Sequence, residues 1–254
     1  MTKTHSETFG IEVRNLSRNF GDVVALNNCS LSFAPGIIHG IIGPEGAGKT
    51  TLLRTLLGLL DCKVGEIVYT KNDKEIKLKD IRDEIAYMPE TQSLYGDLSV
   101  EEHMIFFKEM YEMSNDEYKQ RSQELLSLTR LDKFKDRPAG RLSGGMYKKL
   151  GLICALLRSP TVILLDEPTN GVDTISRREF WTLLYSLVQK YKITVLMATA
   201  YMDEAERCTC VHLLENGKVL IEGEPRALIS QFGVNGFNEL FLKQANLTTE
   251  SIHA

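Results

Sequence analysis

The segment Gly43-Pro44-Glu45-Gly46-Ala47-Gly48-Lys49-Thr50 packs three glycines, a lysine and a hydroxyl into eight positions. Glycines let successive backbone N–H groups curl around a phosphate, and a helix starting directly afterwards adds its partial positive charge. Lys49 then reaches a β- or γ-phosphate as a point charge, and the Thr50 hydroxyl is placed to ligand Mg²⁺. Far along the chain, apolar Val162-Ile163-Leu164-Leu165 ends in Asp166-Glu167. An acidic pair at a strand end completes such a metal site: Asp166 holds Mg²⁺ through water, and Glu167 polarises an attacking water as general base. Leu142-Ser143-Gly144-Gly145 offers a helix N-cap and two open backbone amides to an approaching anion. Alone it is a capped turn. Its meaning comes from its place some twenty residues before the acidic pair.

These groups need elements that aim them. Ile37-Ile38 and Ile41-Ile42 predict a short buried strand feeding the glycine loop, and Lys49 to Leu60 a helix leaving it. Val162 to Leu165 predicts a buried parallel strand, and Gly65-Glu66-Ile67-Val68-Tyr69 a strand of a small antiparallel lobe. From about Ser93 to Arg158 the pattern turns helical, with a helical run from Met146 to Arg158. Ser99-Val100-Glu101-Glu102 reads as a capping box opening a helix toward Met113, and Asn115 or Asp116 opens another toward Thr129. Phe106, Phe107, Met110 and Tyr111 on this stretch read mainly as core packing. Strand–helix alternation returns from Thr161, a turn is read at 222–225, and the polar tail after Gln244 carries no fold signal. The fold class is α/β with a mainly parallel sheet. One domain covers 1–254: a core with the β lobe over about 11–92 and 159–235, a helical subdomain over about 93–158, and a C-terminal tail over about 236–254.

With these segments in this order, the chain resembles the ATP-binding subunit of an ABC transporter, from about Ile11 to Gly223. The resemblance implies a P-loop NTPase core of the ABC ATPase fold, with ATP and Mg²⁺ as cofactors. It makes Gly43 to Thr51 the phosphate loop, so that Pro44, Glu45, Ala47 and Thr51 join the glycines, Lys49 and Thr50 around the nucleotide. It makes Leu142 to Gly145 the signature motif, here followed by Met146 rather than the commoner Gln. Asp173 of Gly171-Val172-Asp173 matches the D-loop aspartate, and Phe20 of Phe20-Gly21 the aromatic that stacks on adenine.

The family acts as a head-to-tail dimer. The resemblance therefore implies that Ser143, Gly144 and Gly145 bind a nucleotide held by a second ATP-binding domain, like or unlike this one. It further implies a separately encoded integral-membrane permease subunit, a peripheral place on the cytoplasmic face of the membrane, and hydrolysis that drives transport. A smaller share of the Phe106 to Tyr111 stretch is then left for a groove that receives the permease. Local strings at 94–100, 146–152 and 176–181 are similar to the branch that exports drugs, polyketides and lipid-like molecules.

Two positions depart from that family. Where its members usually carry Gln after proline, this chain reads Met88-Pro89-Glu90. A carboxylate still offers oxygen to Mg²⁺, but it donates no hydrogen bond and adds negative charge near a γ-phosphate when the metal is absent. Gln92 stands two positions on, and the Leu94-Tyr95 spacing argues against a register slip. After the strand Ile193 to Met197 the family places a histidine that touches the γ-phosphate; here the chain reads Thr199-Ala200-Tyr201. Loss of one preorganised contact to developing charge slows a chemical step by roughly 10²–10³-fold. The two departures predict a chain that binds Mg-ATP well, hydrolyses it slowly, and completes a better site in an unlike partner. The competing expectation is a homodimer in which both sites work at reduced rate.

Composition agrees with a globular chain: 254 residues, 43% hydrophobic, 25% charged. No apolar stretch approaches the ~20 residues of a membrane span, and the Met1 to Phe9 leader is polar. A net charge of −4 argues against a nucleic-acid partner. Cysteines stand at 29, 62, 154, 208 and 210; Cys208-Thr209-Cys210 lacks a second ligand pair, so zinc is not expected. Chromosome-condensation ATPases split these motifs with a long coiled coil, for which about 94 positions between Lys49 and Ser143 leave no room. Translation-factor ATPases carry two such domains, and one is present here.

Overall fold

The computed structural model describes residues 9–91 and 93–250, the last six by their backbone alone. Gln92 and the leader before Phe9 lie outside the described residues. Up to Arg82 the chain forms β1 (Phe9–Phe20), β2 (Val23–Phe33), β3 (Ile38–Ile42), α1 (Lys49–Leu56), β4 (Val64–Lys71), β5 (Lys74–Ile76) and α2 (Leu78–Ile81). Then follow β6 (Ile85–Met88), α3 (Val100–Met110), α4 (Asn115–Thr129), α5 (Gly144–Leu156), β7 (Val162–Asp166) and α6 (Thr174–Tyr191). The rest holds β8 (Thr194–Thr199), β9 (Cys210–Glu215), β10 (Lys218–Gly223), α7 (Pro225–Phe232) and α8 (Phe237–Glu250). Two compact units result, one from the chain up to Arg82 and from Thr194 onward, the other from Asp83–Ile193.

In the first unit β3 runs parallel to β8 on one side and β9 on the other, and β10 closes the edge antiparallel to β9. Every residue of β3 and β8 is buried, so neither strand alternates between apolar and polar. A second, antiparallel sheet has the order β2-β1-β4-β5, and Phe9, Ile11 and Val13 point inward at period two. The helix after the glycine loop is shorter than its sequence suggests. It stops at Leu56 because Gly58 turns left-handed, at φ 66°, where an added Cβ would stand 2.7 Å from Leu78 Cδ2. At 222–225 strand passes directly into helix: Glu224 caps α7 by accepting from Ala227 N at 3.0 Å, with Pro225 at its first position. The tail read without a fold signal forms α8, helical to Glu250.

In the second unit β6 pairs parallel with β7, Tyr87 opposite Leu164. The capping box of α3 is formed in both directions: Glu102 N donates to Ser99 Oγ at 3.2 Å and Ser99 N to Glu102 Oε2 at 2.7 Å. Helix α3 buries Val100, His103 and Met104, spaced as one helical face. Phe106 and Met110 fall on the other side, 41% and 53% exposed, which corrects their reading as core. Helix α4 is capped one position earlier than expected, by Ser114, whose side chain accepts from Glu117 N. Helix α6 buries Phe180, Trp181, Leu184 and Leu187 along one stripe. The helical stretch thus shares a unit with β6, β7 and α6, and Lys149 of α5 pairs with Glu179 of α6 at 2.5 Å.

Candidate active site

The first unit carries the phosphate loop. Leaving the end of β3, Gly43 N donates to Thr199 O at 3.3 Å, and Gly217 N donates to Ala47 O at 3.0 Å. Those bonds hold the loop against neighbouring strands. Gly43 and Gly48 are demanded by crowding: an added Cβ would stand 2.1 Å from Leu214 O at the first and 2.3 Å from Ala25 O at the second, where φ is also 104°. Lys49 is buried and bends back over its own loop, donating from Nζ to Gly43 O at 2.8 Å and Pro44 O at 2.9 Å. Glu45 and Gly46 are exposed, and Thr50 and Thr51 are half-buried on the first turn of α1.

Phe20 and Ala200 belong to the same unit. The Phe20 ring is 46% exposed at the end of β1, and the Arg18 guanidinium lies over one face, 5.0 Å from its centroid. That contact is of cation–π type and leaves the ring otherwise accessible. Ala200 follows β8, where Tyr201 N donates to Thr199 Oγ1 at 3.1 Å. Its methyl group has no hydrogen-bonding atom to offer.

The second unit carries the acidic pair and the glycine-flanked serine. Asp166 ends β7 buried, and Tyr87 Oη donates to its Oδ2 at 3.0 Å. Glu167 is also buried and takes a left-handed backbone, φ 45°, a costly conformation for a non-glycine residue that recurs at functional sites. Lys148, on α5, donates to Glu90 O at 3.2 Å and Glu167 O at 3.4 Å, and so ties both acidic residues' backbones to one ammonium. Burial lowers the Lys148 pKa, against the raising pull of Glu90, Glu167 and Asp166. Asn170 Nδ2 donates to Glu90 Oε1 at 3.2 Å.

Ser143 caps α5 by accepting from Met146 N at 3.4 Å, and Ser143 and Gly144 are exposed. Gly145 is buried against α6, where an added Cβ would stand 2.5 Å from Ser176 Cβ. Asp173 caps α6, accepting from Ile175 N and Ser176 N at 3.0 Å each; its bonds to Ser176 hold its pKa below the ordinary aspartate value. Sequence reasoning missed Tyr87, Lys148 and Asn170. Tyr87 carries no local signal, since it meets Asp166 through strand pairing. Lys148 lay within a string noted only for its resemblance.

A glycine-rich loop between a buried parallel strand and a helix, with an acidic pair ending another parallel strand, defines the class as a P-loop ATPase core. A family model described as ABC transporter matches residues 26–170. The chain belongs to the ABC transporter family, and it is an ABC-type ATPase domain. It is 41% identical over 202 residues to the probable multidrug ABC transporter ATP-binding protein YbhF of Escherichia coli, covering 80% of this chain and 35% of that one. It is 36% identical over 220 residues to the Nod factor export ATP-binding protein I of Burkholderia orbicola, covering 86% and 72%. A bacterial ABC transporter cassette solved as a dimer superposes with a TM-score of 0.72 at 27% identity, covering 84% of this chain and 98% of that one. The chain spans about a third of the length of the first of these relatives.

Proposed function

We propose that this chain binds Mg-ATP and hydrolyses it at an interface with a second ATP-binding domain, driving a separate membrane-spanning subunit in export of a drug-like or lipid-like substrate. The observation that carries the reading is the chemical set the chain presents: Lys49 and the Gly43 to Thr51 loop for phosphate, Thr50 and Asp166 for Mg²⁺, and Glu167 as base. Phe20 receives adenine, and Glu90 faces the metal. Ser143, Gly144 and Gly145 serve the partner domain, the exposure of Ser143 and Gly144 supporting that assignment, and Asp173 acts as the D-loop aspartate. The names of the two relatives support export, and a related cassette's dimer supports the paired arrangement. On this reading the transport path is assigned to another subunit; among the described residues no helix is long and apolar enough to cross a membrane. Exposed Tyr95, Ile105, Phe106 and Met110 offer that subunit an apolar surface. The assembly would sit on the cytoplasmic face of the membrane, with no nucleic acid involved.

A second reading is favoured by Ala200: an ATP-binding regulatory subunit with little catalysis of its own, paired with an unlike active domain. Steady-state ATP hydrolysis by the purified chain, beside Ala200→His and Glu167→Gln, separates the two. Low turnover that rises in Ala200→His and vanishes in Glu167→Gln supports the regulatory pairing. Brisk turnover by the unaltered chain supports a working homodimer and removes the degenerate site.

A further inference from the structure

At the start of β3, the end away from the phosphate loop, His39 meets His212 of β9, with Nδ1 3.1 Å from Nε2. Strand register explains the meeting. Parallel pairing sets His39 opposite Cys210, and antiparallel pairing sets Glu222 of β10 opposite His212. Because side chains alternate with period two, His39, Cys210 and His212 share one face of the sheet. Both imidazoles are buried, at 1% and 0% exposure, while Cys210 is half-buried.

The bonds on the far side of each ring decide the tautomers. His39 Nε2 lies 2.9 Å from the Ala34 carbonyl, and His212 Nδ1 lies 3.2 Å from the Glu222 carboxylate. Carbonyl and carboxylate oxygens only accept, so those two nitrogens carry the protons. In neutral rings His39 Nδ1 and His212 Nε2 are then both lone pairs, pointed at each other across 3.1 Å. Two lone pairs at that distance repel, and a cation between them removes the conflict. Cys210 Sγ stands 4.0 Å from His212 Nε2, and all three ligand atoms lie within 4.8 Å of one another. Tetrahedral zinc, with bonds of about 2.0–2.3 Å, sets its ligand atoms roughly 3.3–3.8 Å apart. Small side-chain shifts close the set. A carboxylate and a carbonyl bonded to the far ring nitrogens are also what orients zinc-binding imidazoles.

We propose that His39, His212 and Cys210 form a binding site for a soft divalent cation, zinc above all, with Glu222 and the Ala34 carbonyl orienting the two rings. Binding releases the Cys210 thiol proton to solvent, which reaches the site past that half-buried residue. The neighbouring cysteine takes no part: Cys208 Sγ reaches the Glu204 carbonyl instead, at 3.5 Å. Two histidines 173 positions apart supply the ligands that a Cys-x-Cys pair by itself lacks.

The test is a Co²⁺ titration of the metal-free full chain, with excess Mg²⁺ present to occupy carboxylate sites. The expected result is uptake of about one ion per chain with a near-ultraviolet thiolate-to-cobalt charge-transfer band, displaced by Zn²⁺. Cys210→Ser abolishes the band, and Cys62→Ser, at an exposed cysteine, leaves it. Glu222→Gln, at a side chain 49% exposed, weakens affinity by roughly 10–100-fold. Absence of the band in the unaltered chain overturns the proposal. A band that survives Cys210→Ser, or an affinity unmoved by Glu222→Gln, overturns it as well.

Discussion

The side-chain amide of Asn170 donates to the Glu90 carboxylate at 3.2 Å, so the turn after the acidic pair grips the position that departs from the family's glutamine. A glutamine there accepts the same bond through its amide oxygen. Glu90→Gln is therefore expected to leave stability within about 0.5 kcal/mol. Removing the charge should tighten metal-free ATP binding by up to about 5-fold, the weight of one screened charge, with little change once Mg²⁺ is present. Calorimetric titration with and without Mg²⁺ checks both halves.

Glu167 is the base in the proposed chemistry. Glu167→Gln keeps the side-chain length and accepts the same left-handed backbone, so nucleotide binding should persist while kcat falls by about 10²–10⁴-fold. Single-turnover hydrolysis beside a nucleotide-binding isotherm reads the two effects separately. A variant that loses binding along with turnover would move Glu167 from chemistry to architecture.

Gly145 lets α5 approach α6. An added Cβ meets Ser176 Cβ at 2.5 Å and Ser176 Oγ at 2.7 Å. Gly145→Ala should cost about 1–3 kcal/mol, the usual penalty for overpacking. The double variant with Ser176→Gly removes both clashing atoms and should recover most of that loss. Urea unfolding midpoints of the single and double variants decide it.

Burial pushes the His39 pKa down from 6.5 to about 4. The folded chain, kept metal-free with a chelator, thus resists a proton that the unfolded chain accepts below pH 6.5. Stability from this group is present above that pH and is lost as pH falls toward about 4. Unfolding midpoints measured across this window should drop more steeply for the unaltered chain than for His39→Asn. Equal slopes would mean that His39 titrates normally.

Local chemistry was legible in the residues alone. The caps at Ser99 and Ser143 and the fold-back of Lys49 onto Gly43 and Pro44 each depend on bonds within a few positions. Short-range geometry of that kind is written directly in residue type. Phe106 and Met110 were misread because an aromatic cluster says nothing of which helical face meets the core; the buried face is set by Val100, His103 and Met104. The ending of α1 at Leu56 was missed because Gly58 had to be weighed against the approach of Leu78, twenty positions on.

Other features came into being only when distant strands and helices paired. Tyr87 reaches Asp166 across 79 positions, and Lys148 gathers the carbonyls of Glu90 and Glu167 from chain segments before and after α5. His39, Cys210 and His212 come together because the pairing of β3 with β9 puts them in register on one face, while the pairing of β9 with β10 sets Glu222 opposite His212. Residue types show what each group can do, but such meetings depend on register, and register is settled by burial of the whole sheet.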